Sequence, residues 1–470
     1  MQSKWKTTSL EELGVQLIDC DHKTPKAVEG GVPYIGIPQM DNGRINFEAK
    51  PRLISEKDFI TWTRKANPKY GDVILSRRCN SGETVYVPKG AKFALGQNLV
   101  LLRPNGERLH PEYLRWVVQG TEWWNEVAKY LNPGAIFESL KCRDIPKFKI
   151  PEPPKRHQIK ISEVLSSISE KIELNQQTNQ TLEQMAQTLF KSWFVDFDPV
   201  FDNLLAKADF KLENLASDFP EALLKRAQKR LLALDDKAKT ALLSANSAHR
   251  SQSSEETSQT NIHQYFPSEF EHNEQLGWIP KGWQESNVGS EFDVTMGQSP
   301  PGSTYNEINE GIPFFQGKTD YGFRFPSNRI YCTAPKRLAN KNDTLVSVRA
   351  PVGTINLAAE KCAIGRGLAA VRHKSGSISF TYYAMNDLAK HFAVFEGEGT
   401  VFGSINQKDF NALPQLSIPA VLANLFNQFC SSWDEKIELT SLQINELTKL
   451  RDTLLPKLIS GELQISKAYS

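Results

Sequence analysis

The sequence predicts an α+β protein in which two tandem, strand-rich α/β modules are separated by two long helices that fold back on each other as an antiparallel intramolecular coiled coil. Three observations carry that expectation. An apolar stripe steps by fours and threes through the middle of the chain, a second stripe of the same spacing lies near the C-terminus, and a series of short motifs recurs in the same order, as an internal pseudo-two-fold repeat would require.

The first stripe lies in a run without Pro or Gly. Ile161, Leu165, Ile168, Ile172, Asn175, Asn179, Leu182, Ala186, Leu189 and Trp193 form a heptad seam whose polar positions are the two asparagines. At 1.5 Å per residue the seam is roughly 50 Å long. A stripe so narrow needs a partner helix to cover it. The shift that carries Ile172 to Ile437 finds one: Phe426, Cys430, Trp433, Ile437, Thr440, Ile444, Leu447, Arg451, Leu454 and Leu458. Both stripes contain the identical string EKIEL, at 170–174 and 435–439.

The modules show the same duplication. Gly31-Val32-Pro33-Tyr34 matches Gly311-Ile312-Pro313-Phe314, and Asp72-Val73-Ile74-Leu75-Ser76 with Arg78 matches Asp343-Thr344-Leu345-Val346-Ser347 with Arg349. Ala94-Leu95-Gly96 matches Ala363-Ile364-Gly365, and Gly134, Phe137 and Ser139 match Gly399, Phe402 and Ser404. The expected organisation is a first module over 1–151, a central helix over 152–199, a helical then flexible linker over 200–277, a second module over 278–418 and a C-terminal helix over 419–463. Within the modules, short apolar runs alternate with turns, for example VILS after Gly71-Asp72, and Pro111 to Lys129 reads as helix. Phe210 to Ser244 reads as one or two helices. Ala245 to Asn261 is rich in Ser, Thr and Gln and is expected to be mobile.

A chain of 470 residues suits two to four domains. Lys plus Arg number 56 and Asp plus Glu 54, so the net charge is +2 and any nucleic-acid surface has to be local. The six cysteines lie far apart with no CxxC pair, which suggests reduced thiols, no zinc site and a cytoplasmic protein. The N-terminus lacks the apolar core of a signal peptide, and no apolar run approaches the length of a membrane span.

Catalytic patterns are not found. GIPFFQGKT at 311–319 is one residue too long for a phosphate loop and carries Pro313 where backbone N–H groups would face phosphate. Asp196, Asp198 and Asp202 read as a solvated cap after the central helix. The eight histidines show no metal-binding spacing, no GxSxG elbow occurs, and Gly365-Arg366-Gly367 has no third glycine for a dinucleotide fingerprint. What remains is polar and basic residues at strand ends: Arg77, Arg78 and Asn80 in the first module, Lys318, Asp320 and Arg349 in the second. Arg reads guanine and Asn reads adenine in the major groove, and Ser holds phosphate. Arg78 and Arg349 are equivalent in the repeat and so suit fold or phosphate contact, whereas Arg77, Asn80, Lys318 and Asp320 differ between the modules, as readers of sequence should. Trp123-Trp124 and Phe314-Phe315 read as core rather than as stacking platforms.

These residues resemble the specificity (S) subunit of type I restriction–modification enzymes, over nearly the whole chain. The resemblance is carried by LFKSWFVDFDP at 189–199, LGWIPKGW at 276–283, GTVFGSINQKDF at 399–410 and LLPKLISGEL at 454–463. It implies that each module is a target-recognition domain reading one half of a split double-stranded DNA site, and that the paired helices set the separation. It also implies two methyltransferase (M) subunits that bind S-adenosylmethionine, restriction (R) subunits that use ATP and Mg, and no cofactor or catalytic residue in this chain. Two other readings stand beside it: a self-sufficient methyltransferase or nuclease, and a structural coiled-coil adaptor that binds proteins or glycans.

Overall fold

The structure is a computed structural model that describes residues 4–132, 138–216, 218–248, 262–392 and 403–465. The repeat positions Gly134, Phe137, Gly399 and Phe402, and residues 249–261 of the linker, lie outside the described residues. The chain divides into two compact units, 1–177 with 440–470 and 178–439, so each unit holds one module and a stretch of each long helix.

In the first unit a four-stranded antiparallel sheet is built from β1 (Val15–Asp19), β4 (Val73–Ser76), β5 (Thr84–Tyr86) and β7 (Leu99–Pro104), in the order β1-β7-β4-β5. A smaller sheet places β2 (Val32–Ile35) between β3 (Arg52–Ile54), antiparallel, and β6 (Ala94–Leu95), parallel. Helices α1 (Glu56–Thr63), α2 (Pro111–Val117) and α3 (Thr121–Tyr130) complete the module. The stretch expected as one helix from Pro111 breaks because residues 118–120 turn between α2 and α3, and Gly120 caps the second.

The linker helices α4 (Asp198–Lys207), α5 (Glu221–Ala233) and α6 (Asp236–Ala248) belong to the second unit and share a small core of Phe201, Leu205, Leu223, Ala227, Leu234 and Leu242. The last of them runs to Ala248, beyond the Ser/Thr/Gln-rich boundary expected at 245. Asp202 is not solvated. It is 3 % exposed, accepts paired hydrogen bonds from Arg230 at 2.7 and 2.8 Å, and lies 3.1 Å from His263, so it ties α4 to α5 and to the chain re-entering the module.

The second module repeats the first. Strands β8 (Phe292–Met296), β11 (Thr344–Ser347), β12 (Ile355–Leu357) and β14 (Leu368–His373) form the sheet β8-β14-β11-β12. In the companion sheet β9 (Ile312–Phe315) lies between β10 (Tyr331–Cys332), antiparallel, and β13 (Cys362–Ile364), parallel, and α7 (Ile378–Asp387) packs behind. The shared motifs acquire physical reasons. A Cβ on Gly31 would lie 2.2 Å from the Ile54 carbonyl oxygen, and one on Gly311 2.2 Å from that of Cys332, so strand pairing excludes any side chain there. Asp72, 2 % exposed, accepts from Arg103 at 2.8 and 2.6 Å; Asp343 takes Arg372 at 2.8 and 2.6 Å in the same way.

The central helix spans Lys155–Phe194 and the C-terminal helix Ala420–Ser460. In the first unit Ile161 and Leu165 join Leu458 and Ile459 in one core with Tyr113 and Trp116 of the module, and Asn175 Nδ2 donates to Gln443 Oε1 at 3.2 Å. In the second, Ala186, Phe190 and Trp193 meet Phe426, Cys430 and Trp433 in a core with Phe380 and Tyr383. Within each unit, rising numbers on one helix meet falling numbers on the other, so the segments run antiparallel. Ile172, Ile437 and Phe426 are buried, while Ile168, Leu182, Leu189, Trp433, Ile444, Leu447 and Leu454 are half-buried. Ser169, Glu183 and Phe190 lie deeper than their neighbours Ile168, Leu182 and Leu189. A straight helix drifts from a 3.5-residue repeat, and these faces serve the module as well as the partner helix.

Leu165 is fully buried, so Leu165→Ala is expected to lower the unfolding free energy by about 2–5 kcal/mol in denaturant titration. Burial works to raise the Asp202 pKa, but hydrogen bonds and charge from His263 and Arg230 outweigh it and hold the carboxyl below its ordinary value. Its contribution is therefore complete above about pH 4, the unfolded value, and is lost as pH falls through the folded one. Asp202→Asn is expected to cost about 1–3 kcal/mol near neutrality, with the gap from the parent protein closing below pH 4 when stability is measured against pH.

Candidate nucleic-acid interface

In the first unit the C-terminal ends of β2, β4 and β6 share one rim. Gly96 N–H donates to Ile35 O at 2.6 Å, and Arg77 N–H donates to Asn98 O at 2.9 Å. The loop after β4 turns back sharply, with φ of 50° at Cys79, 68° at Asn80 and 100° at Gly82. Ser76 closes it, its hydroxyl donating to Arg78 O at 2.9 Å and its carbonyl accepting from Gly82 N–H at 3.0 Å. A Cβ on Gly82 would lie 2.7 Å from the Val127 side chain. Chain from beyond α3 crosses the loop: Leu140 N–H donates to Arg77 O at 2.9 Å, and Arg78 and Ser139 form a bridge.

This arrangement exposes Arg78 and Asn80, and the Asn80 amide is 3.3 Å from Glu83. Arg77 is different. Its side chain is only 12 % exposed, with Nη2 3.9 Å from Asp19 Oδ1. His22, Lys141 and Arg143 line the same cleft as Arg77, Arg78 and Asp19, and all three are exposed. Sequence reading missed them. The available signal was the basic tripeptide 141–143 two residues after the repeated Ser139. A second cleft of about 360 Å³ joins the 40–43 loop to Asn80, with Trp124 on its wall. Trp123 is core as expected, whereas Trp124 is 43 % exposed, because the next residue of a helix is rotated by about 100°. Asp19, Cys20 and His22 bring potential metal-ligand atoms within 4.8 Å of one another. The Cys20 thiol, however, donates to Gly96 O at 3.2 Å, and burial pushes its pKa up to about 11, which opposes the thiolate a metal needs.

The second unit rebuilds this rim from different side chains. Ser347 donates to Pro351 O at 2.6 Å and accepts from Gly353 N–H at 2.8 Å. Ile405 N–H donates to Val348 O at 3.0 Å, and Arg349 bridges Ser404 as Arg78 bridges Ser139. Val348 N–H donates to Gly367 O at 2.8 Å, and Gly367 N–H to Gln316 O at 3.2 Å. The loop carrying Arg349, the turn carrying Arg366 and the loop carrying Lys318 therefore adjoin, and all three cations are exposed. In the sequence Arg366 is only the middle of an incomplete glycine motif, which gives no sign of this placement. Asp320 turns inward: its side chain is 9 % exposed and accepts from Arg329 Nε at 2.9 Å, so Arg329, 56 % exposed, presents the charge there.

A type I restriction modification DNA specificity domain matches residues 2–184, which cover the first module and most of the central helix. The chain belongs to the type I restriction–modification specificity-subunit family. It is 27% identical over 409 residues, 84% of this chain and 79% of the relative, to a protein of Methanocaldococcus jannaschii that carries the name type I restriction enzyme MjaX specificity subunit. It is 24% identical to the HindI specificity subunit of Haemophilus influenzae, over 87% of this chain and 89% of that one. The crystal structure of the type I restriction–modification S subunit from M. genitalium shares the fold, with a TM-score of 0.56 at 14% identity over 99% of this chain and 97% of that chain.

In a specificity subunit, cations outside the base-reading loops add affinity without choosing sequence. Lys141→Ala with Arg143→Ala is expected to weaken binding of the assembled enzyme equally on cognate and unrelated duplexes. The salt slope should fall by about 0.9 for each phosphate no longer neutralised, read from binding isotherms at several salt concentrations.

Proposed function

We propose that this chain selects the bipartite double-stranded DNA sequence on which a type I restriction–modification complex acts, each module reading one half-site. The observation that supports this most is a rim built twice on one scaffold. The equivalent arginines Arg78 and Arg349 sit in the same backbone turn, while the side chains around them differ. Arg78 and Arg349 hold phosphate. Asn80 and Lys318 face the base edges, with Arg366 beside Lys318. Arg77 and Asp320 act from behind, by holding Asp19 and Arg329 in place.

The long helices set the half-site separation. A helix of 40 residues extends about 60 Å, more than the 34–36 Å of one DNA turn, so bases between the half-sites go unread. Two M subunits dock on the helices and modules and bring S-adenosylmethionine; R subunits bring ATP and Mg; this chain contributes no catalytic group. The complex works in the cytoplasm, and no helix among the described residues is long and apolar enough to cross a membrane.

Replacing residues 1–151 with the corresponding module of another family member tests the reading. Long-read mapping of methylated sites in host DNA is expected to show one half of the recognised sequence changed and the other half, with the spacing, retained. A change in both halves would contradict independent reading.

A further inference from the structure

Beyond the rims, each module sends one arginine from its polar loop to a long helix. Arg44 lies eleven residues after Pro33 of β2, and Arg324 eleven residues after Pro313 of β9, so the two occupy the same place in the repeat. Arg44 Nη2 donates to Ser169 O at 2.9 Å, and its Nη1 is 3.6 Å from Glu173 Oε2. Arg324 Nη1 lies 2.9 Å from Asp434 Oδ1 and 3.1 Å from Glu183 Oε2, close charge contacts rather than aligned hydrogen bonds. Its Nη2 donates to Tyr383 Oη at 3.1 Å, and its guanidinium stacks 4.2 Å from the Tyr382 ring centroid. Ser169 and Asp434 are themselves equivalent, being related by the shift that carries Ile172 to Ile437.

We infer that Arg44 and Arg324 are positioning residues that fix the recognition loops 36–44 and 316–324 in register with the helices, and so control how stringently each half-site is read. The inference rests on the DNA-reading role proposed above and names how that reading is kept in register. Each loop leaves a strand at the rim and ends at its arginine, so both ends are held: the first by the backbone bonds of Gly96 to Ile35 and Gly367 to Gln316, the second by the guanidinium. With the second end free, the loop would tolerate a displaced base edge. The two braces differ in strength. Arg324 is 2 % exposed between two carboxylates, and Arg44 is 31 % exposed on a backbone carbonyl and a half-open glutamate. The second half-site should therefore depend on its brace more than the first.

The test uses the full chain assembled with its methyltransferase partners, and methylation rates on duplexes with single-base changes in either half-site. Arg324→Met is expected to reduce discrimination by about tenfold in the half read by the second module and to leave the other half unchanged. Arg44→Met should do the reverse, by about threefold, and Arg324→Lys should retain part of the parent discrimination. If Arg324→Met fails to assemble, Asp434→Asn, which keeps shape but removes one charge, should produce a smaller loss confined to the same half. Discrimination unchanged in both halves, or lost equally in both, would overturn the inference. A parent complex that discriminates in neither half would instead overturn the function it rests on.

Discussion

A long helix whose apolar face is a few residues wide has no stable existence in water until that face is covered, and the rest of this structure depends on how it is covered. Coiled-coil pairing supplies only part of the burial. In the first unit Ile161 and Leu165 reach Leu458 and Ile459 within a core that also holds Leu10, Tyr113, Trp116 and Phe148 of the module. In the second, Phe190 and Trp193 meet Phe426 among Phe380, Tyr383 and Phe410. The helix stretches are thus inner walls of the modules. A module cannot rock on its helices without opening its own core, and burial of this kind amounts to roughly 1.5–3 kcal/mol for each large apolar side chain. For a protein whose task is to present two recognition surfaces in register, that coupling is what a flexible tether would lack.

Polar contacts add direction to this burial. Replacing a buried ion pair by well-packed apolar residues is often neutral or stabilising, so such pairs are weak evidence for stability and better evidence for a fixed geometry. The matched Asp72–Arg103 and Asp343–Arg372 pairs span neighbouring strands of each main sheet and set how the chain enters β4 and β11, the strands that lead to the rim. Arg324 is the extreme case. Burial opposes its charge, yet Asp434, the two tyrosines and Glu183 together hold its pKa above the ordinary arginine value, so it remains a cation inside the protein. A buried cation among carboxylates and ring faces tolerates little displacement.

What was legible in the sequence was what chain-local physics dictates. Heptad spacing revealed both helices. Gly31 and Gly311 stood out because a carbonyl lies where any Cβ would go, and Arg78 and Arg349 because the same backbone turn was built twice. What was not legible depends on partners distant in sequence. Arg44 meets Ser169, Arg324 meets Glu183 and Asp434, and Lys141 joins Arg78, all through folding that no spacing encodes. Asp202 and Asp320 looked like solvent-facing acids because nothing nearby in sequence shows that Arg230 and Arg329 come to meet them. Trp124 was misplaced for a simpler reason: adjacent residues of a helix cannot both face the core.

The duplication also explains why a DNA-reading protein carries a net charge of only +2. Strong uniform charge would favour every duplex equally, since phosphate attraction is blind to sequence. Here the exposed cations gather at strand ends, Arg78 with Lys141 and Arg143 on one rim, Arg349 with Arg366 and Lys318 on the other, while many remaining charges are taken up in internal pairs. Duplication supplies two copies of the phosphate-holding turn at once. Divergence of the neighbouring loops then changes which bases are preferred without disturbing the glycine, serine and arginine positions that shape the turn. The scaffold residues and the reading residues are therefore separable by a physical criterion. The first are constrained by backbone hydrogen bonds and close approach, as at Ser76, Gly82, Ser347 and Gly353; the second only by exposure at the rim, as at Asn80 and Lys318.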